Sequence, residues 1–466
     1  MSETSVRASR LRRAAALGTA AAKLAAREGA ARAMRMSGGD SEKRRAAATR
    51  QQLKAAESLA KVFSGMRGAA MKIGQTLSAV DLGLVPEEVR PRFQEILSQL
   101  QQDAKPVSFK AIRKVIEEDL GEKIDDAFAE FEREPIAAAS IGQVHRARLH
   151  DGRRVVVKVQ YPGIAEAINA DLKNLRLGLK LLNVIAPGID TAAIADEIRE
   201  RISEELDYEL EAANHRAMAR VYRGHPFIVV PDVVTSLCRE RMIVTEYVEG
   251  GRLADALKAP QEMRDRYAEI LMRFYLNGPM RHRLLNGDPH PGNSLFLPDG
   301  RIAFVDFGFF KHLSDDDVSQ LVASTRATID GDAERLLEVV ADLCGLPPDP
   351  ALAGPFLEHY QAIFGWLLQD KKQAIDPSST ARMMEAYTSL RDEEGFGGMT
   401  LPAEHFVLLR AIFLLVGLLG QLGAEGKWID IAAEWLYDAP PVTELGRREA
   451  EFFGDRHGYT TTALAA

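Results

Sequence analysis

Residues 288–308 read DPHPGNSLFLPDGRIAFVDFG, and the spacing of the polar residues within this stretch is the strongest indication of the fold. Asp288 stands five residues before Asn293, and Asp306 begins a DFG triplet thirteen residues after that asparagine. The Pro-Asp-Gly turn at 298–300 separates two short apolar runs, which predicts a β-hairpin. Such a hairpin delivers Asn293 and Asp306 to one side, where their oxygens are hard ligands of the kind that Mg²⁺ requires.

This spacing of aspartate, asparagine and DFG is that of the catalytic machinery of protein kinases. In that machinery Asp288 would orient or deprotonate an attacking hydroxyl or water, and Asn293 and Asp306 would coordinate the Mg²⁺ of bound ATP or ADP. A helical stretch precedes the strand-like runs, and helical patterns follow them almost to the end. The sequence therefore predicts an α+β, protein-kinase-like bilobal fold: a small mixed N-lobe, a helical C-lobe and an N-terminal helical extension.

We expect five segments along the chain. They are a basic Ala/Arg-rich segment at 1–50, the helical extension at 51–120, the N-lobe with a helical insert at 121–250, the C-lobe at 251–440 and a tail at 441–466. The insert is expected because 46 residues separate Lys158 from Glu205. The apolar run AIFLLVGLLG at 411–420 predicts a buried core helix, since a membrane-spanning helix needs about 18 apolar residues or more.

A second pattern, AAASIGQV at 137–144, occupies the eight places of the phosphate-covering pattern GxGxxGxV. Alanine replaces the first two glycines, which keeps the side chains small but forfeits backbone freedom. Alone, the stretch is typical of an alanine-rich turn. Lys158 in the apolar strand VVVKVQ supports the interpretation as a phosphate-covering loop, because kinases direct such a lysine at the α- and β-phosphates. The alternative is that Lys158 is an edge-strand lysine without this role. The predicted nucleotide-binding residues here are Ala137, Ala138, Ala139, Ser140, Gly142, Val144 and Lys158.

Residues 242–251, MIVTEYVEGG, predict a buried strand that continues into the linker between the lobes. We expect the backbone at Glu246 and Val248 to contact the edge of the adenine. No His-Arg pair precedes Asp288 and no Ala-Pro-Glu follows Asp306. Because the chain passes quickly after Phe310 into a capped helix, the activation segment and peptide-docking platform of ordinary protein kinases are expected to be missing.

Over roughly residues 50–440 the chain resembles the UbiB family of atypical kinase-like proteins, which is associated with ubiquinone biosynthesis. The motifs that carry the resemblance are KIGQ at 72–75, the alanine-rich loop at 137–140 followed by IGQVH, QYPG at 160–163, ELD at 205–207 running into YELEAAN, and DPHPGN at 288–293. The resemblance implies that the N-terminal helices lie across the cleft where a peptide would dock. Lys72 and Gln75 share a helix face and, with Asp207, are the expected regulatory residues.

The stretch DEIRERISEELDYELEAAN at 196–214 predicts one acidic helix that supplies carboxylates to the two lysines. Glu205 or Glu211 is expected to orient Lys158 as part of the catalytic set, and the other would hold Lys72. The sequence leaves both assignments open.

The distribution of charge and the cysteine content indicate which partners and which cellular compartment to expect. Residues 1–54 hold thirteen Lys and Arg against four Asp and Glu, so this segment carries +9 and the rest of the chain −17. The segment is expected to be a frayed helix with a solvated face, an electrostatic anchor to an anionic membrane surface, or a transit peptide. Nucleic acid is not expected as a partner, because aromatic residues are absent from the segment. The widely spaced Cys238 and Cys344 argue against a disulfide framework.

The function expected from these features is that of a Mg²⁺-dependent atypical kinase or ATPase supporting the biosynthesis of a quinone or related isoprenoid lipid at a membrane. A small-molecule phosphotransferase of the aminoglycoside or choline kinase kind is an alternative, because NGDPHPGN is close to the HGDxHxxN loop of those enzymes. A nucleotide-binding scaffold is a third. We expect a cytoplasmic protein with at most peripheral association with the inner membrane, since no predicted helix spans a bilayer; partners would be the lipid or lipid-biosynthesis proteins.

Overall fold

The computed structural model describes residues 107–179, 199, 202–203, 205–344, 349–375, 378–392 and 403–454. Lys72, Gln75 and the basic N-terminal segment lie outside the described residues. The chain divides into two compact units. The first consists of Met1–Ala147, Val157–Asp207 and Glu240–Met242, and the second of Arg148–Val156, Tyr208–Arg239 and Ile243–Ala466.

The elements are numbered in chain order. The first are α1 (Phe109–Leu120), α2 (Ile124–Ala127), β1 (Glu130–Phe131), β2 (Ala137–Ala138), β3 (Gly142–Arg148), β4 (Arg154–Gln160), α3 (Ile164–Leu179), α4 (Tyr208–Tyr222), β5 (Ile228–Val229) and β6 (Met242–Glu246). Next come α5 (Leu253–Ala256), α6 (Gln261–Met272), a π-helical turn (Arg273–Asn277), α7 (Gly278–His282), β7 (Leu284–Asn286), β8 (Ser294–Phe296), β9 (Ile302–Phe304) and β10 (Phe310–His312). The last are α8 (Asp315–Asp330), α9 (Ala333–Cys344), α10 (Ala353–Phe364), β11 (Gln373–Ala374), α11 (Ser379–Asp392), α12 (Ala403–Leu422), β12 (Glu425–Gly426), α13 (Trp428–Leu436) and α14 (Glu444–Gly454).

The largest sheet contains five strands, in the order β1-β3-β4-β6 with β2 paired to β3. The apolar strand predicted around Lys158 is confirmed as β4, in which Val155, Val157 and Val159 are fully buried. Buried polar side chains in the first unit explain the sequence motif IGQVH at 141–145. Gln143 hydrogen-bonds His145 over 2.8 Å, and that histidine bonds the Glu132 carbonyl over 2.9 Å. The glutamine and histidine of IGQVH are therefore structural.

The acidic helix predicted at 196–214 is wrong. The helix that contains Glu205 ends there, the chain turns at Leu206 and Asp207, and α4 begins at Tyr208. The Leu206 carbonyl accepts a 2.7 Å hydrogen bond from the Gln160 side chain. Because that carbonyl is taken by a side chain rather than by the next turn of helix, Glu205 and Glu211 lie on separate helices.

The second unit is mainly helical. The side chains of Ala327, Leu336, Val340, Ala341 and Phe356, from α8, α9 and α10, form one of its buried clusters. Helix α12 is buried along most of its length, which confirms the core helix predicted from AIFLLVGLLG. Among the described helices, none combines the length and the apolar character that crossing a bilayer requires.

Candidate active site

Two antiparallel strand pairs in the second unit frame the DPHPGN and DFG segments. In the first pair, β8 and β9 align Ser294 with Phe304, and the turn between them contains a left-handed Gly300 with φ of 81°. In the second, β7 and β10 align Asn286 with Phe310. The chain from β7 to β8 carries Asp288 and Asn293, and the chain from β9 to β10 carries Asp306. The predicted β-hairpin is confirmed as β8 and β9. Asp288 lies in the connection before it, and Asp306 lies in the connection after it.

Direct hydrogen bonds orient the side chains of Asp288 and Asn293. The Asn293 amide nitrogen donates to the Asp288 carboxylate oxygen Oδ2 over 3.0 Å and to the Asp288 carbonyl over 3.2 Å. The Asn293 carbonyl accepts from the Val305 N–H over 3.1 Å. With its nitrogen committed to Asp288, the Asn293 amide turns its oxygen Oδ1 to the other side, and this is the atom that a metal ion would need.

Asp306 shares its surroundings with Glu211. The Asp306 carboxylate accepts a 3.1 Å hydrogen bond from the Gly308 N–H. The place that a Cβ on Gly308 would occupy lies 3.4 Å from Asp306 Oδ1 and 3.5 Å from Glu211 Oε2, so both carboxylates border this glycine. Two carboxylates beside one residue place negative charge there, which a cation would offset. Carboxylate and amide oxygens are the ligands that Mg²⁺ prefers, so Asn293 and Asp306 remain the predicted metal ligands, with Glu211 as a neighbouring carboxylate.

Helix α4 is held against the DFG triplet by an aromatic contact. His215 lies one turn after Glu211 on α4, and its ring centroid is 4.6 Å from that of Phe307. Both side chains are fully buried. This packing fixes the position of α4 and therefore of the Glu211 carboxylate.

Sequence reasoning missed Asn286, which connects two segments, 288–293 and 306–308, that we call the acidic segments. Its side chain is 2% exposed, donates to the Asp306 carbonyl over 2.9 Å and accepts from the Asp288 N–H over 3.1 Å. One amide therefore holds the backbones of both acids. A polar residue at the end of the apolar run LLN, immediately before the loop, was the available signal.

A second missed residue, Arg410, reaches the same loop from α12. Its guanidinium donates to the Gly287 carbonyl over 2.9 Å and to Asp288 Oδ1 over 3.4 Å. It also lies over the ring of Phe309, 5.2 Å from the ring centroid. Nothing in the local sequence pattern indicates these contacts, because 122 residues separate Arg410 from Asp288.

A buried tyrosine lies close to the same loop. Tyr275 belongs to the π-helical turn and is 1% exposed. Burial raises the pKa of its hydroxyl strongly, and the charges of Asp288 and Asp306 add to the effect. The hydroxyl therefore stays neutral beside the two carboxylates.

The other predicted site residues are distributed over both units. Lys158 lies half-buried in β4, and Glu205 and Asp207 lie at the end of a helix, all three in the first unit. Residues 137–144 form a tight hairpin with Ala137 opposite Val144. No residue from 137 to 144 has a positive φ, so alanine fits this backbone without strain.

The predicted hinge lies at the end of β6 in the second unit. The Glu246 N–H donates to the Asp232 carbonyl over 2.9 Å. This N–H is therefore already bonded within the protein, and the contact of Glu246 and Val248 with an adenine edge stays a prediction.

In a comparison with known protein families, the ABC1 atypical kinase-like domain matches residues 99–340. These residues include both acidic segments. The chain belongs to this family, also called UbiB. Its curated relatives include the mitochondrial atypical kinase COQ8B of Rattus norvegicus, 33% identical over 289 residues, which are 62% of this chain and 54% of the relative. The mitochondrial atypical kinase COQ8 of Saccharomyces cerevisiae is 35% identical over 257 residues, 54% of this chain and 50% of the relative.

The matches to the two COQ8 proteins thus span about half of the relatives' own length. Among solved structures, Rv3197 of Mycobacterium tuberculosis, determined in complex with erythromycin, superposes with a TM-score of 0.59 at 31% identity. That match covers 79% of this chain and 92% of Rv3197. The predicted kinase-like fold is confirmed for this ABC1 protein.

Proposed function

We propose that this ABC1 protein is an atypical kinase-like, Mg²⁺-dependent ATPase or kinase. The observation that carries the proposal is the arrangement of Asp288, Asn293 and Asp306 on the two connections that link these strand pairs, β7 to β8 and β9 to β10. Asn293 bonds Asp288 through its side chain, and Asn286 bonds the backbones of both aspartates. An acceptor-orienting carboxylate and a pair of metal ligands need this kind of fixed relation.

The residues divide the chemistry among themselves. Asp288 would orient the attacking hydroxyl or water and accept its proton, because each of its oxygens keeps lone-pair capacity beyond the donor it already has. Asn293 Oδ1 and the Asp306 carboxylate would hold Mg²⁺. When bound there, the metal supplies positive charge to the transferring phosphoryl group. We assign Glu211, rather than Glu205, to this acidic site, because the Glu211 carboxylate reaches Gly308.

The nucleotide-binding residues remain those proposed from the sequence. Lys158 would bind the α- and β-phosphates, and the hairpin at 137–144 would cover them. The Glu246 carbonyl and the Val248 N–H would read the base. Asp207, with Lys72 and Gln75, keeps the regulatory role that the UbiB resemblance implies.

The short connection after the DFG triplet supports a small acceptor or water rather than a peptide. Helix α8 begins at Asp315 with Ser314 and Asp317 forming a capping box, so only β10 and its flanking residues follow Gly308 before this helix. We propose that the activity supports the biosynthesis of a quinone or related isoprenoid lipid at a membrane surface. The UbiB resemblance and the relatives named COQ8 favour this pathway, and the basic N-terminal segment would attract an anionic membrane.

A small-molecule phosphotransferase is the second candidate. Two observations favour it: the loop NGDPHPGN, and the complex of Rv3197 with erythromycin. In this candidate the same residues would act, but the acceptor would be a soluble hydroxyl compound.

The test follows radiolabelled ATP with the purified full chain. One arm contains only water as acceptor, a second adds anionic liposomes with phenolic quinone precursors, and a third adds a macrolide. The first candidate predicts phosphate release or labelled lipid that increases with liposomes and is lost in Asp288→Asn. Label on the macrolide alone would favour the second candidate. Absence of turnover in every arm, with Mg-ADP still bound, would leave only a nucleotide-binding scaffold.

A further inference from the structure

Arg410 is a charged residue on a helix that is otherwise built for burial. Over residues 407–422, where the structure describes the side chains of α12, it is the only charged residue. Its side chain is 21% exposed. A cation placed among apolar side chains is costly unless specific partners compensate it. The partners that it contacts therefore indicate what it is for.

Three of its partners lie within or directly beside the two acidic segments. One guanidinium nitrogen bonds the Gly287 carbonyl and the other bonds Asp288 Oδ1. The planar fork of arginine matches two adjacent acceptors in a way that a lysine ammonium does not. The opposite face of the same carboxylate is held by Asn293, through Oδ2. Both oxygens of Asp288 therefore have a protein donor, and the rotation of its carboxylate is restricted from two sides.

The third partner is the residue that follows the DFG triplet. Arg410 covers the ring of Phe309, whose carbonyl accepts a 2.9 Å hydrogen bond from the Gly287 N–H. A Cβ on Gly287 would lie 2.6 Å from that ring, so the two segments are in close contact. Arg410 thus contacts the loop that carries Asp288 and the segment after Asp306 at the same time.

We propose that Arg410 is a positioning residue for phosphoryl transfer, which sets the orientation of the Asp288 carboxylate toward the acceptor. This inference rests on the proposed function. Because Arg410 donates to the Gly287 carbonyl and to the Asp288 carboxylate, we expect loss of Arg410 to lower the turnover number and to leave the affinity for Mg-nucleotide unchanged. An arginine that only anchored α12 would instead lower stability without a specific effect on turnover.

The chain offers a matched control at the other end of α12. Arg264 donates to the Leu422 carbonyl over 2.6 Å, so it anchors the same helix far from the acidic loops. Arg264→Met removes an arginine contact with α12 and leaves Asp288 untouched. We expect it to lower the melting temperature and to keep the wild-type turnover number.

The experiment measures ATP turnover, Mg-ADP affinity and melting temperature for wild type, Arg410→Ala, Arg410→Lys and Arg264→Met. Arg410→Ala is expected to lose about 10- to 100-fold in turnover, the usual cost of a misplaced catalytic group, with Mg-ADP affinity within about twofold of wild type. Ethylguanidinium in solution should restore part of that turnover in Arg410→Ala and none in other variants. The turnover of Arg410→Lys should be lower than that of Arg410→Ala with ethylguanidinium, since an ammonium group does not match both acceptors as a guanidinium does.

Three results would overturn the inference alone: wild-type turnover in Arg410→Ala, no rescue by ethylguanidinium, or a parallel loss of turnover in Arg264→Met. Absence of ATP turnover in the wild-type protein would overturn the proposed function, and the role of Arg410 in it as well. The two failures are distinguishable because the second appears before any variant is made.

Discussion

Replacing Asn286 with leucine should separate the two acidic segments without changing either acid. The leucine fills a similar volume but removes the 2.9 Å bond to the Asp306 carbonyl and the 3.1 Å bond from the Asp288 N–H. Each hydrogen bond contributes about 1 kcal/mol, and a buried group left unsatisfied costs about 1–3 kcal/mol. Because the partner residues Asp288 and Asp306 are only partly buried, we expect the free energy of unfolding to fall by about 2–4 kcal/mol.

Turnover should fall further than stability alone would explain. A displacement of about 1 Å in a catalytic group can cost about 100-fold in rate, and Asn286 fixes the relative position of two such groups. The assays are urea unfolding and ATP turnover below the unfolding transition. Asn277 supplies the control: it is equally buried, at 2% exposed, but makes a single 3.4 Å bond to the Ile431 carbonyl. Asn277→Leu should keep its turnover. An Asn286→Leu protein with stability within about 0.5 kcal/mol of wild type and unchanged turnover would show that Asn286 does not hold the two aspartates in place.

Two further predictions concern the buried ionic cluster around Arg273, the first residue of the π-helical turn, and the nearby His282. Arg273 is fully buried and bonds Glu269, Glu434 and Glu449 over 2.7–2.9 Å. Arg273→Met should lower the free energy of unfolding, measured in urea, by about 3–5 kcal/mol, because it leaves buried carboxylates uncompensated. A loss below about 1 kcal/mol would contradict this prediction. Burial, reinforced by the charge of Arg281, lowers the pKa of His282 to about 3. Between pH values of about 6.5 and 3 the unfolded chain therefore binds a proton at His282 that the folded protein does not, so stability should fall as the pH decreases through this window. His282→Phe should make stability less dependent on pH there. Equal slopes of stability against pH in both proteins would be evidence against a lowered pKa of His282.

The sequence predicted the features that depend on local spacing. The hairpin around Gly300, the strand that carries Lys158 and the capped helix after β10 all follow from patterns of a few residues. The same holds for the approach of Asp288, Asn293 and Asp306, since one hairpin register brings them together. Short-range patterns are reliable here because neighbouring residues must share the same element.

Contacts between distant parts of the chain escaped prediction. The break at Leu206 depends on Gln160, 46 residues earlier, so the sequence could not show that Glu205 and Glu211 belong to different helices. Arg410 is 122 residues from the aspartate that it holds. Arg273 is 161 residues from Glu434. Each of these side chains is a polar or charged residue in an apolar pattern, which signals a buried partner but does not identify it.

In the proposed function, Asn293 and Asp306 hold the Mg²⁺ of a bound nucleotide. The most direct measurement is calorimetric titration of ADP, with and without Mg²⁺, into wild type, Asp306→Asn and Asp299→Asn. Asp299 lies in the exposed turn of the same hairpin and bonds Arg301 there, so it controls for the loss of a carboxylate near the site. If Asp306 is a metal ligand, Mg²⁺ strengthens ADP binding in wild type and in Asp299→Asn and has no effect in Asp306→Asn. The same Mg²⁺-dependent gain in all three proteins would contradict it.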